Sequence, residues 1–158
     1  MKTLALSDKQ MAALAALREL AAELGWQGEP VVVEGTLVYQ IPLPDDPDVS
    51  GAFFAVEADE LNIRLYLTLP RNAPLSRMAA ASEFVVRSGY SRRFGALELD
   101  PDHGSLRVRA DTDATQDTLA AAVDRLVERA MALAREISPA WQALCRDAKA
   151  ETKQEDNT

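Results

Sequence analysis

The segment from Phe94 to Asp113, FGALELDPDHGSLRVRADTD, constrains the fold more than any other part of the chain. Apolar and polar residues alternate on both sides of residues 100–104, which is typical of two antiparallel strands joined by a five-residue turn. Pro101 suits an early turn position, and Gly104 suits a positive φ. The buried face of this predicted hairpin carries Leu97, Leu99, Leu106, Val108 and Ala110. Its other face carries Glu98, Arg107 and Arg109.

A long amphipathic helix is predicted directly after the hairpin. Asp113 and Gln116 have the spacing of a capping box, and apolar residues recur every three or four positions as far as Ile137. At 1.5 Å per residue this helix spans about 36 Å, enough to cross one face of a sheet. Pro139 is predicted to bend or restart it.

The first part of the chain predicts one helix and one strand. Ser7 and Asp8 offer side-chain oxygens for an N-cap, and Gly25 is suited to end the helix. Alternating and β-branched residues then predict a strand from Val31 to Leu43, in which Gly35 marks a bulge or a bend.

A second hairpin and a second helix are predicted between this strand and Phe94. Residues 52–57 and 61–69 form the two strands, and the strict alternation within 61–69 predicts one buried face and one partly wet face. Pro70 is expected to end the second strand. A helix then opens near Leu75 and stops at Gly89. Its apolar row consists of Leu75, Met78, Ala79, Ser82, Val85 and Val86.

The order of these elements is α-β-β-β-α-β-β-α. It predicts an α+β fold with an antiparallel sheet of about five strands and helices packed on one face. This order, with FGALELDPDHGSLRVRADTD followed by an amphipathic helix, resembles the YbjN family of bacterial proteins over residues 7–144. The domain of that family is similar in fold to the chaperones of type III secretion. The family tends to place an asparagine after the middle helix, where this chain has Ser88, Gly89 and Tyr90.

The resemblance implies a role without catalysis. Secretion chaperones are small, acidic and usually dimeric, and they hold extended segments of client proteins. YbjN-like proteins are linked to bacterial signalling and regulation. From the resemblance we therefore expect a homodimer with a chaperone-like or regulatory role, and no catalytic residue is carried over.

Composition and charge predict a cytoplasmic protein of one domain. We place that domain at residues 1–145 and expect the polar residues 146–158 to be a disordered tail. Seventeen basic and 25 acidic side chains give a net charge of -8, which repels phosphate backbones. Apolar runs fall short of the about 20 residues of a membrane helix, and the chain start lacks the pattern of a secretory signal. We expect neither nucleic-acid nor membrane partners.

The residues predict no catalytic, cofactor-binding or metal-binding site. His103 has Asp100 and Asp102 beside it, which could suggest a metal site or an acid-base pair. The chain has no second histidine, and Cys145 is its only cysteine. A surface turn is therefore the favoured interpretation of this cluster.

Arginines supply the candidate partner-binding residues. Four lie in the Phe94–Asp113 hairpin or beside it and one lies in the strand 61–69, and together they could line the open side of the sheet: Arg64, Arg92, Arg93, Arg107 and Arg109. They could form a positive patch that binds an acidic peptide. Alternatively, Glu98 and other carboxylates pair with them across the strands, and each such pair contributes about 0.2 to 1 kcal/mol.

Two hypotheses for function remain. The first is a protein-binding module, not an enzyme, that holds a segment of a partner protein on its sheet or strand edge. The alternative is an enzyme dependent on a small molecule or a metal, with a pocket between helix and sheet where Arg64, Tyr66 and His103 would have to meet.

Overall fold

The fold is an antiparallel sheet of six strands with three α-helices. The computed structural model describes residues 5–59, 62–113 and 118–155, without the side chains of 113 and 147–155. In chain order the elements are α1 (Asp8–Leu24), β1 (Val31–Val33), β2 (Thr36–Ile41), β3 (Gly51–Val56), β4 (Asn62–Asn72), a 3-10 turn (Leu75–Arg77), α2 (Met78–Gly89), β5 (Ala96–Leu99), β6 (Ser105–Asp113) and α3 (Leu119–Glu155). The strand order in the sheet is β1-β2-β3-β4-β6-β5. The predicted α+β class is confirmed.

The predicted strand from Val31 to Leu43 is in fact a hairpin, and this accounts for the sixth strand. Glu34 and Gly35 both have positive φ, 49° and 83°, and form a two-residue turn between β1 and β2. Two successive residues with positive φ are typical of a type I′ turn, whose twist matches that of the flanking strands. Gly35 is therefore a turn residue, and the prediction of a bulge or bend within one strand was wrong.

Helix α1 is anchored to the sheet by its first turn. Ser7 and Gln10 form a capping box, and Ser7 Oγ also donates to the carbonyl oxygen of Ala58 at 2.7 Å. The buried Gln10 amide donates to the carbonyl oxygens of Gly35 (2.8 Å) and Val56 (2.9 Å). The N-terminus of α1 is thus bound to the β1–β2 turn and to the end of β3. Gly25, at a φ of 69°, ends the helix as predicted.

The core lies between one face of the sheet and the helices α1 and α3. Strand β4 alternates as predicted, since its inward leucines and isoleucine are at most 1% exposed and its outward residues from Asn62 to Pro70 are half-buried. The inward residues of β4 are Ile63, Leu65, Leu67 and Leu69. Burying each such side chain contributes about 1.5 to 3 kcal/mol. No described helix is both long enough and apolar enough to cross a membrane.

Strand β4 does not end at Pro70, as the sequence predicted, but continues to Asn72. The pairing with β6 shifts register between Thr68 and Asn72, which is a β-bulge. A bulge tolerates a proline because the ladder is already interrupted there. Arg71 takes a positive φ of 69° in it, and its carbonyl oxygen accepts a hydrogen bond from Trp141 Nε1 at 3.2 Å.

Helix α3 begins later than predicted. Strand β6 extends to Asp113 and α3 starts at Leu119, where Thr118 Oγ1 accepts a hydrogen bond from the backbone of Ala121 at 3.4 Å. Asp113 therefore does not start the helix, and Gln116 lies outside the described residues. Helix α3 passes through Pro139 as one element and its backbone continues to Glu155. The division into a domain and a tail stays a prediction.

Helix α2 turns a different face to the core than the sequence predicted. Ala81 is its buried residue, with Phe84 and Val85 partly buried, whereas Leu75 and Val86 are 86% and 72% exposed. Gly89 is the last helical residue and lacks a positive φ, so it is not the left-handed stop we predicted. Ser91 takes that conformation instead, at a φ of 60°.

The turn between β5 and β6 is fastened to the end of β4. Asp100 Oδ1 accepts hydrogen bonds from the backbone of Asp102 (2.9 Å) and His103 (3.3 Å), and its carbonyl oxygen accepts from Gly104 (2.8 Å). The carbonyl oxygen of Gly104 then accepts from Ala73 at 2.8 Å. Gly104 has a φ of 71°, and a Cβ there would overlap the carbonyl oxygen of Ala73. This close backbone contact requires glycine.

Replacing Gly104 with alanine should destabilise the fold strongly. We expect Gly104→Ala to lower the free energy of unfolding by about 3 kcal/mol, since left-handed strain and the overlap with Ala73 add together. Gly25→Ala is the matched control, because Gly25 has a φ of 69° and nothing within 4 Å of the added Cβ. It should lose about 1 to 2 kcal/mol, the left-handed penalty alone. Equal losses in urea unfolding would contradict the proposed contact.

Candidate protein-binding surfaces

The face of the sheet opposite the core presents aromatic and charged side chains. The register aligns Gln40, Phe53, Tyr66 and Arg109 in one row across β2, β3, β4 and β6. Phe53 and Tyr66 stack with ring centroids 4.9 Å apart and an interplanar angle of 24°. The guanidinium carbon of Arg107 lies 4.2 Å from the centroid of the Tyr66 ring. We call this surface the open face, since the described helices pack against the other side.

Three of the five predicted arginines meet on the open face, where carboxylates pair with them. Glu98 accepts from Arg107 Nε at 2.6 Å and from Arg109 Nη1 at 3.2 Å. Arg64 lies 3.9 Å from a Glu57 oxygen and 3.7 Å from an Asp111 oxygen. The open face therefore carries charges of both signs and is not the positive patch that the sequence allowed. The structure instead contains the alternative, in which carboxylates pair with these arginines across the strands.

Arg92 and Arg93 lie elsewhere, beside α3. Arg92 donates to the carbonyl oxygen of Ser88 at 2.9 Å, and its guanidinium pairs with Glu136 at 3.3 Å. Arg93 is exposed. The five arginines thus form two separate groups rather than one patch.

Sequence reasoning missed two aromatic residues of these surfaces. Phe53 and Phe54 are consecutive in β3, so only one of them can face the core. Phe54 is fully buried and Phe53 faces outward, a division that the alternation could have revealed. Phe94 supports the guanidinium of Arg129, whose carbon lies 4.0 Å from the ring centroid. No sequence signal links Phe94 to Arg129, because 34 residues lie between them in the chain.

His103 lies in the exposed turn that the sequence predicted. Its Nδ1 is 2.9 Å from Asp100 Oδ2, and this hydrogen bond, with the charge of Asp100, raises the pKa of His103 above its ordinary value of 6.5. The pKa of Asp100 is lowered, first by the hydrogen bond from the backbone of Asp102 and next by that from His103. Within residues 5–59, 62–113 and 118–146, no three His, Cys, Asp or Glu side chains are grouped as metal ligands.

The residues required by the enzyme hypothesis do not share a cavity. His103 borders a depression of about 330 Å³ between the hairpin turn, the 3-10 turn and α3, with Cys145 in its wall. Arg64 and Tyr66 are on the open face instead. Burial raises the pKa of the Cys145 thiol above its ordinary value of 9.0, as is typical of a cysteine in apolar surroundings.

The edge strand β1 is a poor template for an added strand. It has three residues and is preceded by Pro30, which has no N–H to donate. Short edges and prolines are features that discourage pairing with another chain. Strand β1 is therefore an edge at which pairing with another chain is discouraged.

The fold is similar to that of a known bacterial protein. The crystal structure of YbjN from E. coli, described as a candidate transcription regulator, has a TM-score of 0.57 to this chain. The likeness covers 82% of this chain and 91% of that one, at 15% sequence identity. No protein-family model and no curated protein matches the sequence. The YbjN-like fold expected from the hairpin and helix pattern is therefore supported at the level of fold.

The single histidine allows a direct test of its pair with Asp100. In an NMR titration the His103 ring should show a pKa above 6.5, and Asp100→Asn should return it toward that value because the carboxylate charge is lost. Asp102→Asn is the control and should change the pKa of His103 less. Asp102 affects this pKa only through its charge, and that effect is the smallest of those that act on His103. A pKa that is the same in wild type and Asp100→Asn would contradict the pairing.

The same pair sets a pH window for stability. The His103 contribution is fully present below pH 6.5 and is lost as the pH rises through its raised folded pKa. The Asp100 contribution is present above pH 3.8 and is lost as the pH falls through its lowered folded pKa. Both contributions are present together between these two values, and Asp100→Asn should remove this part of the pH dependence of the free energy of unfolding. A pH profile of urea unfolding that is the same for wild type and Asp100→Asn would contradict this assignment.

Proposed function

We propose that this protein is a regulatory protein-binding module, without catalytic activity, that holds a segment of a partner protein on the open face of its sheet. The observation that carries the proposal is the row of contacts from Phe53 through Tyr66 to Arg107 on the sheet face that the described helices do not cover. Tyrosine and arginine are enriched among residues that dominate binding energy. Here Tyr66 is held between a ring and a guanidinium, so little side-chain entropy remains to be lost on binding.

The charges of the open face indicate what the segment should carry. Arg107 and Arg109 share one carboxylate, Glu98, whereas Arg64 lies near two, Asp111 opposite it on β6 and Glu57 just after β3. We infer a segment with an apolar side chain over Phe53 and Tyr66, an acidic residue toward Arg107 and a basic residue toward Glu57. Each exposed ion pair adds modest affinity and mainly fixes the direction in which the segment lies.

We infer the regulatory role from the likeness of fold to YbjN, and no individual residue of that protein is carried over. YbjN, whose fold this chain shares, is described as a candidate transcription regulator. A chain with a net charge of -8 is poorly suited to contact DNA directly. We therefore propose regulation through a protein partner, in the cytoplasm, and prefer it to chaperoning of a secreted client.

We also propose that the protein is a homodimer formed through the outward face of α2. That face, continued into the 3-10 turn before α2 and the residue after it, carries three of the most exposed large apolar side chains of the described residues, Leu75 (86%), Val86 (72%) and Tyr90 (85%). Ala79 and Ser82 lie between them and would let a second helix approach closely. Antiparallel pairing of two copies places Leu75 of one copy against Val86 and Tyr90 of the other. A two-fold axis requires such a self-complementary face.

Partner capture should depend on the open face. From a lysate of the cells that produce the protein, we expect affinity capture with quantitative mass spectrometry to identify a protein that the double variant Phe53→Ala, Tyr66→Ala enriches about tenfold less than wild type. Met11→Ala is the matched control, because Met11 is an apolar side chain 58% exposed on α1. The proposal fails if no captured protein distinguishes the open-face variant from Met11→Ala.

The dimer is tested by light scattering on the purified protein. Wild type should have the mass of two chains at about 100 μM, and Val86→Glu should have the mass of one, because each dimer would bury two carboxylates against apolar side chains of the partner copy. Met11→Glu, which adds the same charge on α1, should remain dimeric. A monomeric wild type, or a dimeric Val86→Glu, would exclude this interface.

A further inference from the structure

A further group of arginines lies on the helical side, around the ring of Phe94. We call the surface around them the Phe94 groove and define it by Arg93, Phe94, Arg125, Leu126, Arg129 and Leu133. The Arg129 guanidinium rests on the Phe94 ring and divides the groove into depressions of about 300 Å³ and about 400 Å³. None of these residues belongs to the open face.

The groove concentrates positive charge in an acidic protein. Within the described part of the chain, no carboxylate pairs with Arg93 or Arg129, although the whole chain has 25 acidic residues. Arg125 lies four residues before Arg129 on α3 and lines the smaller depression with it.

The floor of the groove is apolar, which favours a peptide over a simple anion. Phe94, Ala132 and Leu133 line the larger depression, and because Leu133 is only 4% exposed, a ligand would bury an apolar side chain there mainly against Phe94. From Arg125 to Leu133, α3 rises about 12 Å, the length of about four residues of extended chain. Asp111 and Glu136 border the two depressions, and with the net charge of -8 they oppose a polyanion such as nucleic acid.

We propose that the Phe94 groove binds an acidic segment of a partner protein. Carboxylates of that segment pair with Arg93 and Arg129, and an apolar side chain packs on Phe94 and Leu133. Arg129 is already placed by its contact with the ring, so its guanidinium is oriented before the ligand arrives. This site is additional to the open face and does not depend on it.

Fluorescence anisotropy with a synthetic probe tests the proposal. The probe is a short labelled peptide of alternating glutamate and leucine, and the matched probe has glutamine in place of each glutamate. Wild type should bind the glutamate probe saturably and the glutamine probe at least about tenfold more weakly. Arg93→Ala and Arg129→Ala should each weaken binding about fivefold. The affinity should fall as salt is added, because exposed charges are screened.

Two control variants show whether the probe binds at the Phe94 groove rather than elsewhere on the protein. Arg18→Ala removes the same charge from an exposed arginine on α1 and should bind the probe as wild type does. The double variant Phe53→Ala, Tyr66→Ala should also bind the probe as wild type does. This result separates the test of the Phe94 groove from the test of the proposed open-face function. Circular dichroism of each variant checks that the fold is retained.

Four results would overturn the proposal. They are the absence of saturable binding up to about 1 mM, equal affinity for the glutamine probe, unchanged affinity in both groove variants, and displacement of the probe by a DNA duplex at lower concentration than by unlabelled peptide. The last result would indicate a polyanion site instead.

Discussion

Strand β4 is the element on which the core and the open face both depend. Its side chains alternate without interruption, so Leu65 and Leu67 enter the core while Arg64 and Tyr66 point outward. Because the side-chain period of a strand is two, a slip of one residue against β3 and β6 would exchange these sets. Burial of the leucines therefore also fixes the position of Tyr66 next to Phe53. The packing of one face determines the chemistry of the other.

The end of β4 carries the second constraint, a backbone contact between Ala73 and Gly104. It joins the bulged end of β4 to the β5–β6 turn and so holds the last two strands in register with the centre of the sheet. Glu98 lies on β5, and only in this register does it stand opposite Arg107 and within reach of Arg109. The ion pairs contribute little energy individually. Their structural effect is to place Arg107 over Tyr66, which orders the surface.

The two groups of arginines differ in how their charge is balanced. Arg107 and Arg109 are held by Glu98, so they shape a surface more than they attract an anion. Arg129 is held by an aromatic ring, which orients the guanidinium and leaves its charge available. The two proposals therefore name different ligands, an apolar segment with charges of both signs for the sheet and an acidic segment for the Phe94 groove.

The sequence by itself determined the elements whose signals are local. The β5–β6 turn, the alternation of β4 and the N-cap at Ser7 each depend on neighbouring residues, and each is present in the structure. Tertiary structure decided the rest, because periodicity identifies a face but not the element that covers it. Helix α2 turns Ala81 inward and leaves Val86 exposed, and Pro70 stays in a strand because the bulge accepts it. The separation of Arg92 and Arg93 from the open face, and the meeting of Phe94 with Arg129, likewise depend on contacts between residues far apart in the chain.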